Sequence, residues 1–191
     1  MKYLIIGRQG CGLPEIIREL EELGLSVGHI FRSIQELQPQ TYTLSHIVYD
    51  YSDIEKIEES GSYIFMQECF QKEKFLEGLS FYEYDNNDVI YMGIDHVVKI
   101  PQKTWDKMDV TIIWLDNTSD YRYNHLAESG CTHNIEIQED NESFHIQGFI
   151  ERVYDKKHIY FFNEDPDRVT AIIYGLVKHP DLLDIFVKKF N

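Results

Sequence analysis

The sequence predicts an α/β fold of three layers, a parallel sheet with helices on both faces. Three observations predict it. Short apolar runs at 3–6, 89–94 and 110–115 have the density of buried parallel strands. Helical periodicities alternate with them. A glycine-rich turn joins the first run directly to the first helix.

In chain order, Tyr3 to Ile6 reads as the first strand, and Ile16, Ile17, Leu20 and Leu23 repeat at helical spacing until Gly24 closes the helix. Leu25 to Phe31 suits a second strand. Asp53 to Glu59 reads as a short charged helix stopped by Ser60 and Gly61. Gln71 to Leu79 carries Phe75, Leu76 and Leu79 on one helical face and is expected to be a helix. Val89 to Ile94 and Val110 to Leu115 are central strands that end at Asp95 and Asp116, where ligands of open α/β sheets sit. Asp120 to Ser129 is a helix, His158 to Phe162 the last strand and Val169 to Val177 another helix. Asp181 to Phe190 forms an amphipathic tail, with Leu182, Leu183, Ile185, Phe186 and Phe190 packing on its own domain. No repeat, low-complexity tract or linker interrupts this series, so 1–191 is expected to be a single domain.

At 191 residues the chain can bury roughly 70% of its unfolded surface in one core. Its formal charge of -15, from 33 acidic and 18 basic residues, opposes direct nucleic-acid binding, which needs clustered Lys and Arg. The same excess of acid suits solubility or an encounter with a basic protein partner. Cys11, Cys69 and Cys131 are odd in number and lack CxxC spacing, as for free thiols in a reducing compartment. The amino-terminal apolar stretch is too short for a signal peptide or a membrane span, so the expected location is cytoplasmic, without a membrane partner.

The chemistry centres on Gly7 to Pro14, GRQGCGLP. Its spacing is that of the phosphate-binding P-loop GxxxxGK[ST], but Leu13 stands where the lysine belongs and Pro14 where the magnesium-binding hydroxyl belongs. Gly7, Arg8, Gln9, Gly10, Cys11 and Gly12 can still turn backbone N–H groups toward an anion at the helix start, because that property belongs to geometry. The alternative is a strand-to-helix turn without a ligand, in which Pro14 is comfortable at the first helical turn. Arg8 can supply charge from within the loop. Asp95 and Asp116 are candidates both for magnesium and for capping the next helix, and Cys11 is either a thiol activated by a helix N-terminus or a small residue in a tight loop. His125, Cys131, His133 and His145 are zinc ligand types, but their spacing matches no standard pattern.

With these elements placed, the chain resembles the guanylate kinase-like nucleoside monophosphate kinases of the P-loop superfamily over nearly its whole length. The motifs that carry the resemblance run in order. After the glycine turn, His29-Ile30-Phe31-Arg32-Ser33 offers Arg32 where the family places an arginine for the acceptor phosphate. Ser45-His46-Ile47-Val48 is similar to the opening of the monophosphate-binding region, Asp88 to Asp95 to the third strand, Thr111 to Asp116 with Asp120-Tyr121-Arg122 to the fourth strand and lid helix, and Tyr160 to Glu164 to the last strand and its turn. The resemblance implies a P-loop kinase-like fold with a monophosphate-binding-like region at 33–80, a lid-like region at 117–150 and a tail helix at 180–191. It also implies ATP with magnesium at Asp95 or Asp116, and Arg8 and Arg122 as catalytic groups if the chain is active.

The departures fall on that chemistry. From Val110 to Ile150 the one Lys or Arg is Arg122, against the acids Asp116, Asp120, Glu128, Glu136, Glu139, Asp140 and Glu142. Phosphoryl transfer needs Lys, Arg and magnesium to neutralise spreading charge, and one arginine can be worth ~10³ to 10⁵ in rate. The expectation is a catalytically impaired pseudokinase that acts as a binding or regulatory module, with weak nucleotide binding or none. The first alternative is an active (deoxy)nucleoside monophosphate kinase. The second is an acidic inhibitor that mimics nucleic acid toward a basic protein, as in degenerate relatives carried by phages and mobile elements.

Overall fold

Strand β1 (Lys2–Gly7) lies at the centre of a five-stranded parallel sheet in the computed structural model, which describes residues 1–34, 47–50, 63–70, 74–128, 135–154 and 156–184. Its neighbours are β7 (Val89–Gly93) and β8 (Val110–Asp116), flanked by β2 (Val27–Gly28) and β9 (His158–Phe162) in the order β2-β7-β1-β8-β9. The register puts Gly7 beside both Gly93 and Leu115, so the glycine turn and the ends of β7 and β8 share one edge.

Because successive side chains leave a strand on opposite faces, the apolar runs feed two cores. Tyr3, Ile5, Tyr91, Ile113 and Leu115 pack under α1 (Leu13–Glu22) and α7 (Pro166–Lys178). Leu4, Ile6, Ile90, Met92 and Ile112 face α3 (Ile94–Lys99), α4 (Gln102–Trp105) and α6 (Ile135–Val153). Each fully buried aliphatic side chain is worth roughly 1.5–3 kcal/mol. Gly24, at φ +83°, ends α1, and Asp165 caps α7 by accepting from the Arg168 amide at 3.2 Å. Leu183 of the tail is buried in the first core, while 185–191 lie outside the described residues.

Two sequence expectations need correction. The chain from Leu25 to Phe31 is not one strand: it pairs in the parallel sheet only at Val27–Gly28 and then enters a second sheet through β3 (Phe31–Ile34). That sheet joins β3 to β4 (Ile47–Asp50), β5 (Tyr63–Phe70) and β6 (Lys74–Ser80) in the order β4-β3-β6-β5, with both antiparallel and parallel pairs. Residues 71–73 lie outside the described residues, and the described part of the helix expected over Gln71 to Leu79, 74–79, is therefore strand β6. Its apolar spacing suits a helix, but pairing with β5 and β3 overrides local preference, and Gly78 lets β5 approach: a Cβ there would lie 2.6 Å from the Phe65 carbonyl oxygen.

A short helix, α2 (Phe81–Asn86), leads from β6 back to β7. The helix expected near Asp120 is α5 (Ser119–Glu128), and the 19-residue α6 that follows it was not expected from the sequence. The expected charged helix at 53–59 and the residues Ser45, His46, Cys131 and His133 lie outside the described residues. No described helix is long and apolar enough to cross a membrane.

Candidate functional site

The glycine turn is tight and closely packed. Gly10 and Gly12 hold φ of +75° and +83°, which side-chain-bearing residues adopt only with strain. Gly12 caps α1, and Pro14 sits in its first turn, as the sequence suggests. Leu13, in the position of the motif's lysine, is 7% exposed and belongs to the first core. Its Cβ and one methyl stand about as close to Gly7 as packing allows, 3.1 and 3.2 Å from where a Cβ would be. Cys11 is fully buried with its sulfur against Gly7, which is the role of a small residue in a tight loop.

The outer side of the loop is also occupied. A Cβ on Gly10 would lie 2.5 Å from the backbone oxygen of Arg122, so α5 rests directly on the loop. The Arg122 side chain is 2% exposed; it donates to the Gln9 carbonyl at 3.4 Å and to Ser119 Oγ at 3.5 Å. Asn163, after β9, donates to the Cys11 carbonyl at 2.7 Å, and Asn117 donates to the carbonyl of Asn163. Within the loop, the Cys11 amide donates to the Arg8 carbonyl at 3.1 Å, which turns it away from any outside anion.

Charges are matched internally as well. Arg8 and Arg122 each approach Asp116 Oδ1 at 3.9 Å. Asp116 does not cap α5; its Oδ1 accepts from the Asn117 amide, and Thr118 Oγ1 accepts from the Tyr121 amide. At the amino end of α1 stands Glu15, whose carboxylate pairs with His125 Nε2 of α5 at 3.2 Å. A carboxylate in the first turn gives the helix dipole a negative partner from the chain itself. Tyr121 and Tyr160 border this cluster. Burial raises the pKa of each above the ordinary tyrosine value, and Glu15 for Tyr121 and Asp116 for Tyr160 push the same way.

The structure thus gathers Gly7 to Gly12, Arg8, Arg122 and Asp116 into one cluster. Asp95 lies on the same sheet edge, in the first turn of α3, half-exposed and 3.7 Å from His96. Arg32 belongs to β3 of the second sheet, opposite Glu77 in register. Among the described residues no three His, Cys, Asp or Glu side chains form a group able to hold a metal. The two guanidinium groups at Asp116 oppose a divalent cation there, so this donor set does not suit magnesium.

Sequence reasoning missed Glu15 and the pair Glu77–His96. Glu77 on β6 is buried at 4% exposure and accepts from His96 at 3.1 Å and from Gln67 Nε2 at 3.4 Å. An acid in a helical first turn is the signal that could have found Glu15; Glu77 lay hidden in a segment read as helix.

No family model matches the chain, and no curated protein matches it. Solved structures do. The crystal structure of guanylate kinase from Anaplasma phagocytophilum superposes with a TM-score of 0.55 at 13% identity, covering 94% of this chain and 85% of that one. The chain has a guanylate kinase-like fold. An uncharacterized protein from Eubacterium ventriosum aligns over 94% of this chain and 99% of its own, at 12% identity and a TM-score of 0.45. Identities this low speak for the fold alone, and the chemistry has to be read from the loop.

Proposed function

We propose that this guanylate kinase-like chain is a pseudokinase, a non-catalytic binding or regulatory module. The observation that supports this reading is the occupied glycine loop: Leu13 fills it from within, Arg122 lies on Gly10, and Glu15 stands at the helix terminus that would hold phosphate. A donor site must cradle a polyphosphate and neutralise charge that builds in the transition state. Here the two nearby arginines neutralise Asp116 instead. The partner is a protein with a basic surface, a reading supported by the formal charge of -15.

The test is a coupled assay of ADP release with ATP, magnesium and each nucleoside monophosphate. Turnover stays at background, and the double variant Leu13→Lys with Pro14→Ser does not raise it. Clear turnover abolished by Arg8→Ala or Arg32→Ala would overturn the proposal. Association with a basic partner weakens steeply with added salt, and salt-insensitive binding would remove that part of the reading.

A further inference from the structure

At the opposite end of the sheet from the glycine loop, by the amino ends of β8 and β9, α4 and the last turns of α6 enclose a cleft of about 480 Å³, within the size range of small-molecule sites. Trp105 belongs to its wall, and its indole N–H joins α4 to α6 by donating to the Arg152 carbonyl at 3.0 Å. Gly148 lines the cleft from within α6. A Cβ there would meet Val98 at 3.7 Å, an ordinary contact, so close packing does not demand glycine at this position. Glycine is unfavourable inside a helix, and what it leaves here is open space.

Two cations line the same cleft, and backbone carbonyls orient both. Arg152 Nη1 donates to the Val97 carbonyl at 3.1 Å and to the Ile100 carbonyl. Lys156 Nζ donates to the Met108 carbonyl at 2.6 Å and lies 5.7 Å from the centre of the Trp105 ring. Among the described residues no carboxylate comes within ion-pair distance of either. Carbonyls fix the direction of a cation without cancelling its charge. The glycine loop does the reverse, since Arg8 and Arg122 there share Asp116. Burial lowers the pKa of Arg152 below the ordinary arginine value, with Asp106 pulling the other way, so this guanidinium is poorly solvated and lacks a contacting anion. The surrounding sequence has the same sign: 99–107 and 152–157 carry six Lys or Arg against two Asp, in a chain where acids outnumber bases 33 to 18.

The remaining lining decides which anion fits. Asp106 and Glu151 are exposed, and each accepts from a glutamine one turn earlier: Gln102 Nε2 reaches Asp106 Oδ1 at 2.7 Å and Gln147 Nε2 reaches Glu151 Oε1 at 2.9 Å. The second oxygen of each carboxylate is left as an acceptor, together with the Gln102 amide oxygen. A bare anion meets both signs in this cleft. A molecule with an anionic head and several hydroxyl donors meets only partners. A planar carboxylate is filled by the guanidinium alone, whereas a tetrahedral phosphate keeps oxygens for the ammonium group as well. We propose that this cleft binds a phosphorylated sugar, its phosphate on Arg152 and Lys156 and its hydroxyls on Asp106 and Glu151. The site is separate from the glycine loop and does not depend on whether that loop is silent.

Calorimetric titration of the full chain with ribose phosphorylated on its primary hydroxyl tests this, with ribose and inorganic phosphate as separate arms. The ribose phosphate binds saturably and at least about tenfold more tightly than inorganic phosphate, while ribose alone gives no saturable heat. Arg152→Lys keeps the charge and a donor for the α3 carbonyls but loses the fork, and Lys156→Gln removes the second cation; each weakens the ribose phosphate by about tenfold or more. Asp106→Asn gives the sharper signature, because the position is exposed and the amide keeps one acceptor oxygen for Gln102. With the negative charge gone, inorganic phosphate tightens and its gap to the ribose phosphate narrows, a change that purely structural roles for these side chains do not produce. No saturation by the ribose phosphate at millimolar concentration, equal affinity for inorganic phosphate, or binding indifferent to both Lys156→Gln and Asp106→Asn overturns the proposal.

Discussion

The glycine loop and the junction of the two sheets begin side by side in register, at Gly7 and Gly93, yet they are closed by different means. At the loop, closure is packing: the Leu13 side chain below and the Arg122 backbone above leave glycine as the residue that fits. At the junction, closure is polar. The Gly93 amide donates to His96 Nδ1 at 3.3 Å, which leaves His96 Nε2 as the protonated nitrogen that donates to Glu77. The buried Glu77 carboxylate on the second sheet is thus bonded by an imidazole and a glutamine amide.

The strongest way to break this comparison is at Gly10. Replacing it with Ala imposes a left-handed φ on a side-chain-bearing residue and drives a Cβ to 2.5 Å from the Arg122 carbonyl oxygen. The expected loss is about 3 kcal/mol in a urea titration, the left-handed penalty plus displacement of α5. Gly24→Ala shares the positive φ but meets nothing within 4 Å, and should lose only about 1 kcal/mol. Equal losses at the two positions would mean that α5 does not bear on the loop.

At the junction the effect is smaller. Glu77→Gln retains an acceptor for His96 Nε2 and removes only the charge, for an expected loss of about 1 kcal/mol. Glu77→Leu leaves the imidazole N–H and the Gln67 amide facing an apolar group and should cost about 2 kcal/mol or more. If Leu were tolerated as well as Gln, the junction would be held by packing too, and the contrast with the loop would vanish.

The same contrast explains what could be read in the sequence. Strands β1, β7 and β8 were legible because central parallel strands are continuous apolar runs, β9 because it is a short apolar and aromatic run, and α1 and α7 because their buried stripe repeats at helical spacing. The departure at Leu13 and Pro14 is legible as well, since the motif's spacing states which side chain each position would carry. The second sheet was not. Phe75, Leu76 and Leu79 fit a helical face, and only pairing with β5 just before it and with β3 farther up the chain makes them a strand. The bearing of Arg122 on Gly10 was equally hidden, because a backbone contact between residues 112 positions apart in the chain leaves no trace in residue type.

The smallest expected effect concerns the acids around the loop. Tyr3, Tyr121 and Tyr160 all hold their protons above the ordinary tyrosine value, through burial first in each case. For Tyr3 burial is the whole cause, while Glu15 adds to the shift at Tyr121 and Asp116 at Tyr160. A raised folded value means that the native state binds the proton more tightly. The stability this contributes is fully present below pH of about 10 and is lost as pH rises through the folded values. Glu15→Gln should then bring forward ionisation of Tyr121, and Asp116→Asn that of Tyr160, with Tyr3 unmoved in both. Phenolate absorbance followed against pH, with each tyrosine assigned by its Phe variant, reads this out. Unchanged titration of Tyr121 and Tyr160 in these variants would show that the acids over the loop are screened by solvent, leaving packing by Leu13 and Arg122 as the only barrier between this loop and a phosphate.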